Sequence, residues 1–327
     1  MAPRFGGVLG APVTPFGAAG RVHLEAFRGL REFLVAGGVD GVAVPLHTGE
    51  SINLRGDERR ALVSEAVRVV AGRVPVLAHV SLPGTDQVVE LARHAEAVGA
   101  AAVISVTPYH WRPSPPALLA HFTAVCDSVD VPVLAYNFPS RIGVALDEHL
   151  LERLIERCPN LAGVKDASYD MQSFTEACRV AAALRPDFSM LTGVEYLLPS
   201  MVVGGAGCFS PASSVAPRLV RDLYNAVRAG ELVRGPGAAV PGLPALAPAS
   251  GDRLPSLREG GVGLVRPARG RRAAAAARPG RGRGRPAARR ARRARAARLG
   301  AARVGRPGAA RHGMSGSMRR VAVRPPV

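Results

Sequence analysis

The sequence predicts a (β/α)8 TIM barrel followed by a basic tail, and three observations support this prediction. Eight short apolar segments alternate with amphipathic segments between residues 6 and 230. Continuous apolar strands separated by single helices are typical of parallel strands covered by helices, and eight such units close into a barrel. An open doubly wound sheet is the alternative, but APVTPFGAAG after the first strand lacks the GxGxxG and GxxxxGKS/T phosphate loops.

The predicted strands follow one another along the chain, each separated from the next by one amphipathic segment. In order they are GVLGAPVTP (7–15), GVAVPL (41–46), PVLAHV (75–80), AAVISVTP (101–108), PVLAYNFP (132–139), LAGVKDAS (161–168), SMLTGVE (189–195) and AGCFSPAS (206–213). The intervening segments, such as HLEAFRGLREFLVAG (23–37) and ERRALVSEAVRVVAG (58–72), place apolar residues three and four apart. That spacing predicts helices whose apolar faces cover the sheet.

The charge distribution divides the chain near residue 233. The 327 residues carry a net charge of +18, but residues 234–327 alone carry +21 and residues 1–233 carry −3. With 47% hydrophobic residues, the chain can form a sizeable core. We therefore predict a catalytic barrel domain over residues 1–232 and an Arg/Ala/Gly/Pro-rich low-complexity tail over residues 233–327.

The tail permits three interpretations. Its segment RGRGRPAARRARRARAARLG (281–300) has no aromatic residue, so its arginines would support only nonspecific, salt-sensitive nucleic-acid binding. High charge and many glycines and prolines are also typical of a disordered, solvated segment without function. The third interpretation is a shift of reading frame near residue 233, where a helix-like pattern stops and the composition changes. We prefer the third because it explains both changes together.

Composition also bears on the compartment and on metal binding. The N-terminus has no signal-peptide pattern, and the longest apolar stretch is interrupted by Asp40, which predicts a cytoplasmic protein. Cys126, Cys158, Cys178 and Cys208 form no CxxC pair, which favours buried apolar thiols over a zinc site or disulfides. No HxH or HxxxH pair stands at a predicted strand end, so we expect no metal.

Lys165, in the predicted sixth strand, is the single lysine among 43 basic residues. Arginine supplies positive charge everywhere else, so this lysine is expected where arginine cannot act. A buried amine can lose its proton and attack a carbonyl, whereas a guanidinium stays protonated. Desolvation in an apolar strand lowers the pKa of an amine, which predicts a Schiff-base nucleophile. A stray lysine on a solvated face is the alternative.

Polar residues follow several predicted strands at their carboxyl ends, where barrels of this kind carry their chemistry. They are Thr14 after the first strand, His47, Thr48, Gly49 and Glu50 after the second, Tyr109 and His110 after the fourth, and Tyr136 and Asn137 in the fifth. Because these strand ends converge, we expect the polar residues to lie around Lys165.

These residues, in this order, resemble the pyruvate-dependent class I aldolase family that includes dihydrodipicolinate synthase and N-acetylneuraminate lyase. The matching segments are APVTPF (11–16), HTGES (47–51), VTPYHWRPS (106–114), YNFPSRIG (136–143), GVKDAS (163–168) and GAGCFSPASSVAP (205–217). The resemblance spans about 210 residues of the chain. It implies a Schiff base between Lys165 and pyruvate, with no external cofactor beyond that covalent imine.

The resemblance also implies roles for other residues. Tyr136, assisted by Thr48, would move the proton needed to form and collapse the carbinolamine. Backbone amides of the loop that contains His47 and Thr48 would hold the pyruvate carboxylate. Phe209 occupies the eighth-strand position that contacts pyruvate through its backbone. A barrel-lining tyrosine without a catalytic role is the alternative for Tyr136.

Four residues depart from the family pattern or bear on the second substrate. His110 stands where dihydrodipicolinate synthase has a second tyrosine; it is either a proton relay or a loop histidine without a role. His47 replaces a hydroxyl residue and Leu46 replaces a glycine, which should alter the pocket near the carboxylate. Arg141 matches the arginine that grips the distal carboxylate of the aldehyde substrate, with a solvated loop arginine as the alternative.

The sequence therefore predicts a pyruvate-dependent Schiff-base lyase or aldolase resembling 4-hydroxy-tetrahydrodipicolinate synthase, acting on pyruvate and an aldehyde in either direction. A 2-keto-3-deoxy sugar acid aldolase or dehydratase of the same family is the first alternative. An inactive barrel with nonspecific nucleic-acid binding by its tail is the second. The resemblance also implies a homo-oligomer, either a dimer or a tetramer.

Overall fold

The computed structural model describes residues 4–110 and 112–231, and in these ranges eight strands form a closed parallel barrel. The strands are β1 (Gly7–Gly10), β2 (Gly41–Val44), β3 (Val76–His79), β4 (Ala102–Val106), β5 (Val133–Asn137), β6 (Leu161–Asp166), β7 (Ser189–Thr192) and β8 (Gly207–Ser210). Each strand pairs with the next and β8 pairs with β1. The predicted barrel is confirmed, and the open-sheet alternative is wrong. The predicted tail, residues 233–327, lies outside the described residues.

Helices follow the strands and cover the barrel. They are α1 (Leu24–Ala36), α2 (Gly56–Val70), α3 (Thr85–Ala97), α4 (Pro115–Cys126), α5 (Pro139–Ile142), α6 (Glu148–Arg157), α7 (Met171–Leu184), α8 (Leu197–Val202) and α9 (Pro217–Arg228). Local sequence fixes several of their starts. The carboxylates of Asp147 and Asp170 accept hydrogen bonds from amides in the first turns of α6 and α7, and proline begins α4 and α9.

The apolar residues of the strands form two separate layers because successive side chains point to opposite faces of the sheet. One set packs inside the barrel and includes Leu9, Ala43, Leu77, Ile104, Leu134, Leu191 and Phe209. The other set packs between the sheet and the helices and includes Val8, Val42, Val103, Val133, Val164, Met190 and Cys208. This division explains why the strands are continuously apolar in the sequence.

The predicted strands extend too far at their carboxyl ends. The first was predicted to end at residue 15 and ends at Gly10, and the sixth was predicted to end at residue 168 and ends at Asp166. Residues that follow strands, such as Ala11, Leu46 and Ala167, remain buried because they pack with the residues inside the barrel. The apolar composition therefore continues beyond the last strand residue, and composition alone does not locate the strand end.

Glycine at two positions allows the first and last strands to meet. Gly7 has φ +78°, a conformation that residues with a Cβ rarely adopt. A Cβ atom at Gly207 would overlap the backbone of Gly7, its partner in the β1–β8 register. Closure of the barrel therefore depends on the absence of a side chain at this seam.

The four cysteines are buried and carry free thiols, as the sequence predicts. None of the helices in the described part of the chain has the length and apolar character that crossing a membrane requires. The prediction of a cytoplasmic location is not tested by this observation and stays a prediction.

Candidate active site

Lys165 lies near the carboxyl end of β6 and is only 4% exposed. Its Nζ atom lies 3.3 Å from the centroid of the Tyr136 ring and 5.5 Å from that of Phe209. Burial holds the pKa of the Lys165 amine well below its usual range, and the nearby charge of Asp166 opposes this effect. A lowered pKa favours the neutral amine, which is the form that attacks carbonyl carbon.

Tyr136 lies on β5 directly beside Lys165 in the strand register. The side chain is 3% exposed and stacks on Phe138, with ring centroids 5.5 Å apart and an angle of 9° between the planes. Burial raises the pKa of the Tyr136 hydroxyl above its usual range. The phenol therefore stays protonated at neutral pH and can donate a proton next to the amine.

Two imidazoles stand against Tyr136. The ring of His47, in the loop after β2, lies 5.4 Å from the Tyr136 ring and 5.3 Å from the ring of His79. His79 ends β3 and lies 6.2 Å from the Tyr136 ring. Burial, followed by the charge of Lys165, lowers the pKa of His47 to about 4, and burial lowers the pKa of His79 well below its usual range. Both rings are neutral at pH 7.

Some backbone amides of the loop after β2 have no hydrogen-bond acceptor among the described residues. Thr14 Oγ1 donates a hydrogen bond of 2.7 Å to the carbonyl of Gly49 and so fixes the loop from β1. Within the described residues, the amides of Thr48 and Gly49 donate to no acceptor. Free backbone donors that converge on one point are a common way to bind a carboxylate.

Arg59, on α2, bonds the backbone next to the same loop. The sequence analysis did not predict a role for this residue at the site. Its guanidinium donates to the carbonyls of Ser51, His79 and Ser81 at 3.2, 3.2 and 2.9 Å. These bonds connect the loop after β2 to the end of β3. The charge of Arg59 adds to the burial and to the charge of Lys165, which together lower the pKa of His47.

A buried amide and carboxylate connect the ends of β5 and β6. Asn137 Nδ2 donates to Asp166 Oδ2 at 2.6 Å, and these residues are partners in the strand register next to Tyr136 and Lys165. The other carboxylate oxygen accepts from the amide and hydroxyl of Ser168 at 3.0 and 2.6 Å. Asn137 Oδ1 accepts from the amide of Leu146 at 2.9 Å. The network fixes the strand ends that carry the tyrosine and the lysine.

The remaining predicted residues surround this cluster at different depths. Thr48 is half-buried in the loop after β2, and Phe209 is fully buried on β8. Arg141 is exposed on α5; its charge adds to the burial that lowers the pKa of His47, and it opposes the rise that burial gives the pKa of Tyr169. His110 is exposed in the loop after β4 with φ 86°. The roles predicted for these four residues stay predictions.

His79 and Asp166 were missed although each stands in a segment that the sequence analysis used. His79 ends the apolar segment PVLAHV, two residues after the inward-facing Leu77. Period-two alternation places residue 79 on the same inner face, which was the available signal. Asp166 follows Lys165 directly, but its bond to Asn137 depends on the register between two strands, which neither segment specifies.

We expect acid to lower the free energy of unfolding, because buried histidines have lowered pKa values. His121 is 3% exposed, its ring nitrogens bond to the hydroxyls of Thr85 and Ser105, and burial lowers its pKa from 6.5 to about 4. Below pH 6.5 the unfolded chain binds a proton at this residue that the folded protein does not. His121 alone therefore costs roughly 3 kcal/mol of unfolding free energy between neutral pH and pH 4.

Urea unfolding at pH 7 and at pH 4 measures this loss. Replacement of His121 by glutamine keeps a polar side chain that does not titrate, so the variant should lose less stability on acidification than the wild type. The same loss in both proteins would contradict the assignment to His121.

Comparison with known proteins gives consistent matches over the described part of the chain. Residues 4–235 match the family model described as the dihydrodipicolinate synthetase family. A 4-hydroxy-tetrahydrodipicolinate synthase from Phenylobacterium zucineum is 41% identical over 230 residues, covering 70% of this chain and 76% of that protein. A protein named probable 2-dehydro-3-deoxy-D-pentonate aldolase YjhH, from Escherichia coli, is 34% identical over 230 residues, with the same coverage.

Solved structures agree with the sequence matches. YagE from Escherichia coli, a member of the dihydrodipicolinic acid synthase family crystallised with pyruvate, is 30% identical and superposes with a TM-score of 0.68 over 70% of this chain and 77% of that one. The dihydrodipicolinate synthase from Aquifex aeolicus is 35% identical, with a TM-score of 0.66 over 69% of this chain and 76% of its own. The similarity therefore covers sequence and fold together.

Proposed function

Since the chain belongs to the dihydrodipicolinate synthetase family, we propose that Lys165 forms a Schiff base with pyruvate at the carboxyl end of β6. Members of the family are pyruvate-dependent class I lyases and aldolases, and the predicted enzyme class agrees with this. The observation that carries the proposal is the Lys165 amine, buried in an apolar strand 3.3 Å from the Tyr136 ring centroid.

The chemistry follows from the properties of the imine. Attack of the amine on the ketone of pyruvate and loss of water give an iminium ion, which draws electrons from the adjacent methyl group. Loss of a methyl proton gives an enamine, whose carbon adds to an aldehyde. Cleavage runs through the same steps in reverse. The lysine itself supplies the electron sink, so this scheme needs no further cofactor.

Different groups around Lys165 bind pyruvate and transfer protons. In the proposal, the free amides of Thr48 and Gly49 bind the pyruvate carboxylate, and Tyr136 moves the proton during imine formation. Thr48 assists from the same loop, and the backbone beside Phe209 contacts pyruvate from β8. His110 remains a candidate relay at the end of β4.

The identity of the second substrate is proposed from the relatives, which favour two classes of aldehyde. The relatives named 4-hydroxy-tetrahydrodipicolinate synthase favour the condensation predicted from the sequence, with Arg141 holding a distal carboxylate. The relative named probable 2-dehydro-3-deoxy-D-pentonate aldolase favours a 2-keto-3-deoxy sugar acid instead. Product formation from pyruvate with carboxylate-bearing and with hydroxyl-bearing aldehydes separates the two functions.

We expect Arg141→Gln to raise the KM for a carboxylate-bearing aldehyde about tenfold or more, the scale of one lost charge-assisted hydrogen bond. The rate of pyruvate adduct formation should stay the same, because Arg141 is exposed on α5 and acts on the second substrate. Arg153→Gln, at an exposed arginine on α6, is the matched control. An equal rise in the KM for pyruvate, or no rise in the KM for the carboxylate-bearing aldehyde, would count against the carboxylate clamp.

Other predictions from the sequence are not decided by the described residues. A homo-oligomer, dimer or tetramer, stays a prediction, and one structural relative is described as the first monomeric dihydrodipicolinate synthase variant. The proposals for the tail, among them nonspecific nucleic-acid binding, fall on residues outside those described.

A further inference from the structure

Two buried ring nitrogens without a hydrogen-bond partner lie on neighbouring imidazoles beside Lys165. They are Nδ1 of His47 and Nε2 of His79, and neither has a partner within the described residues. The ring centroids are 5.3 Å apart, with an angle of 56° between the planes. Buried polar atoms without partners are rare in folded proteins, because they lose their bonds to water without replacement. Two of them on adjacent rings need a common explanation.

The tautomer of His79 follows from its contact with the backbone. His79 Nδ1 lies 2.9 Å from the carbonyl oxygen of Pro45, and a carbonyl can only accept, so Nδ1 carries the hydrogen. The ring is 2% exposed, and burial holds its pKa well below the usual range. A neutral imidazole with its hydrogen on Nδ1 has a bare lone pair on Nε2. His79 therefore presents an acceptor that has no donor.

His47 is the neighbouring ring that can supply that donor, since the two ring centroids are 5.3 Å apart. His47 lies on the loop after β2 and is half-buried, whereas His79 is fixed on β3. If His47 Nδ1 carries the hydrogen, it fills the acceptor on His79, and the lone pair of His47 is then on Nε2. We propose that His79 accepts a hydrogen bond from His47 Nδ1 in the substrate-bound site and thereby makes His47 Nε2 a proton acceptor for imine formation at Lys165.

Burial, with a smaller contribution from the surrounding charges, keeps this acceptor neutral until a proton is transferred to it. Lys165, Arg59 and Arg141 all act on His47 and disfavour its protonated form, and Lys165, Arg59 and His47 act on His79 in the same direction. Tyr136 and Phe138 cover the His47 ring from β5 and the turn after it, at 5.4 and 5.5 Å between centroids. His47 therefore takes up a proton only transiently, as a relay requires.

The proton balance of imine formation includes this step. Attack by Nζ forms the nitrogen–carbon bond, and the ketone oxygen takes one proton from solvent to become a hydroxyl group. His47 Nε2 takes the proton released by the nitrogen, through the hydroxyl of Tyr136, and returns it by the same route to the departing hydroxyl group. Water leaves, and the amine, the ketone and one proton have given the iminium ion and one water. This inference rests on the proposed Schiff base at Lys165.

The experiment measures the single-turnover rate of pyruvate adduct formation by rapid borohydride quenching. His79→Leu removes the acceptor and should lower the rate about 10²-fold, the scale of a lost proton-transfer group. His79→Gln should retain most of the rate, because its amide can donate to Pro45 while its oxygen accepts from His47. His121→Leu is the matched control, since His121 is also buried and neutral but bonds Thr85 and Ser105 outside the site. It should leave the rate unchanged.

A double-mutant cycle separates positioning from folding. In a His47→Gln background, His79→Leu should have no further effect on the rate, because its partner is already lost. Equal effects of His79→Leu in both backgrounds, or an equally slow His79→Gln protein, would overturn the inference. Thermal unfolding of each variant identifies any loss of the fold. No adduct in the folded wild type rejects the Schiff base itself, whereas an adduct rate insensitive to His79 rejects only the role of the imidazole pair.

Discussion

Replacement of Lys165 by arginine abolishes the borohydride-stable pyruvate adduct. Arginine keeps the positive charge and the length, but its guanidinium stays protonated and supplies no nucleophilic amine. The effect should be complete, because Lys165 is the single lysine of the chain and no other side chain can form the imine. Intact-protein mass measurement after reduction with borohydride detects the adduct directly, and the N-terminal amine is the only competitor.

Because Lys165 is buried, a second substitution at this position is needed to separate loss of the amine from loss of the fold. Lys165 is 4% exposed, and an arginine there is costly to desolvate, so loss of the adduct in Lys165→Arg could reflect loss of the fold. Lys165→Met fills the same space without a charge and should remain folded without an adduct. An undiminished adduct in either variant would reject Lys165 as the nucleophile.

Tyr136→Phe lowers turnover about 10²-fold or more while the pyruvate adduct still accumulates slowly. The substitution keeps the ring that stacks on Phe138 and covers Nζ, and it removes only the hydroxyl that moves the proton. Adduct formation and steady-state turnover are both measured, since loss of the shuttle slows the first step and every later proton transfer.

Tyr224→Phe is the matched control for this substitution. Tyr224 lies on α9 and packs against the core between the sheet and the helices, so loss of its hydroxyl should leave turnover unchanged. Turnover in Tyr136→Phe that equals the wild-type value would mean that another group moves the proton.

The fold was predictable because its pattern repeats. Each strand is buried on both faces and is apolar in the sequence, and each covering helix shows apolar residues three and four apart. The strand ends were less well predicted, since Ala11, Leu46 and Ala167 stay buried after the backbone has left the sheet. An apolar sequence indicates burial, and burial continues past the strand ends into residues that pack with the barrel interior.

The candidate site was predictable where chemistry makes a residue type unusual. A single lysine in an arginine-rich chain drew attention to residue 165, and the YNFP segment drew attention to Tyr136. His79 stands in an apolar strand segment without a recognised motif, and Arg59 has the sequence context of a surface arginine on an amphipathic helix. Their places at the site come from contacts across 20 or more residues, such as the bond from Arg59 to the carbonyl of His79.

The most direct test of the Schiff-base assignment is borohydride trapping of the wild-type protein with pyruvate, followed by peptide mass analysis. We expect one reduced adduct, on the peptide that contains Lys165, and we expect the adduct to require both pyruvate and borohydride. A folded wild-type protein without an adduct, or with an adduct only at the N-terminal amine, would contradict a Schiff base at Lys165.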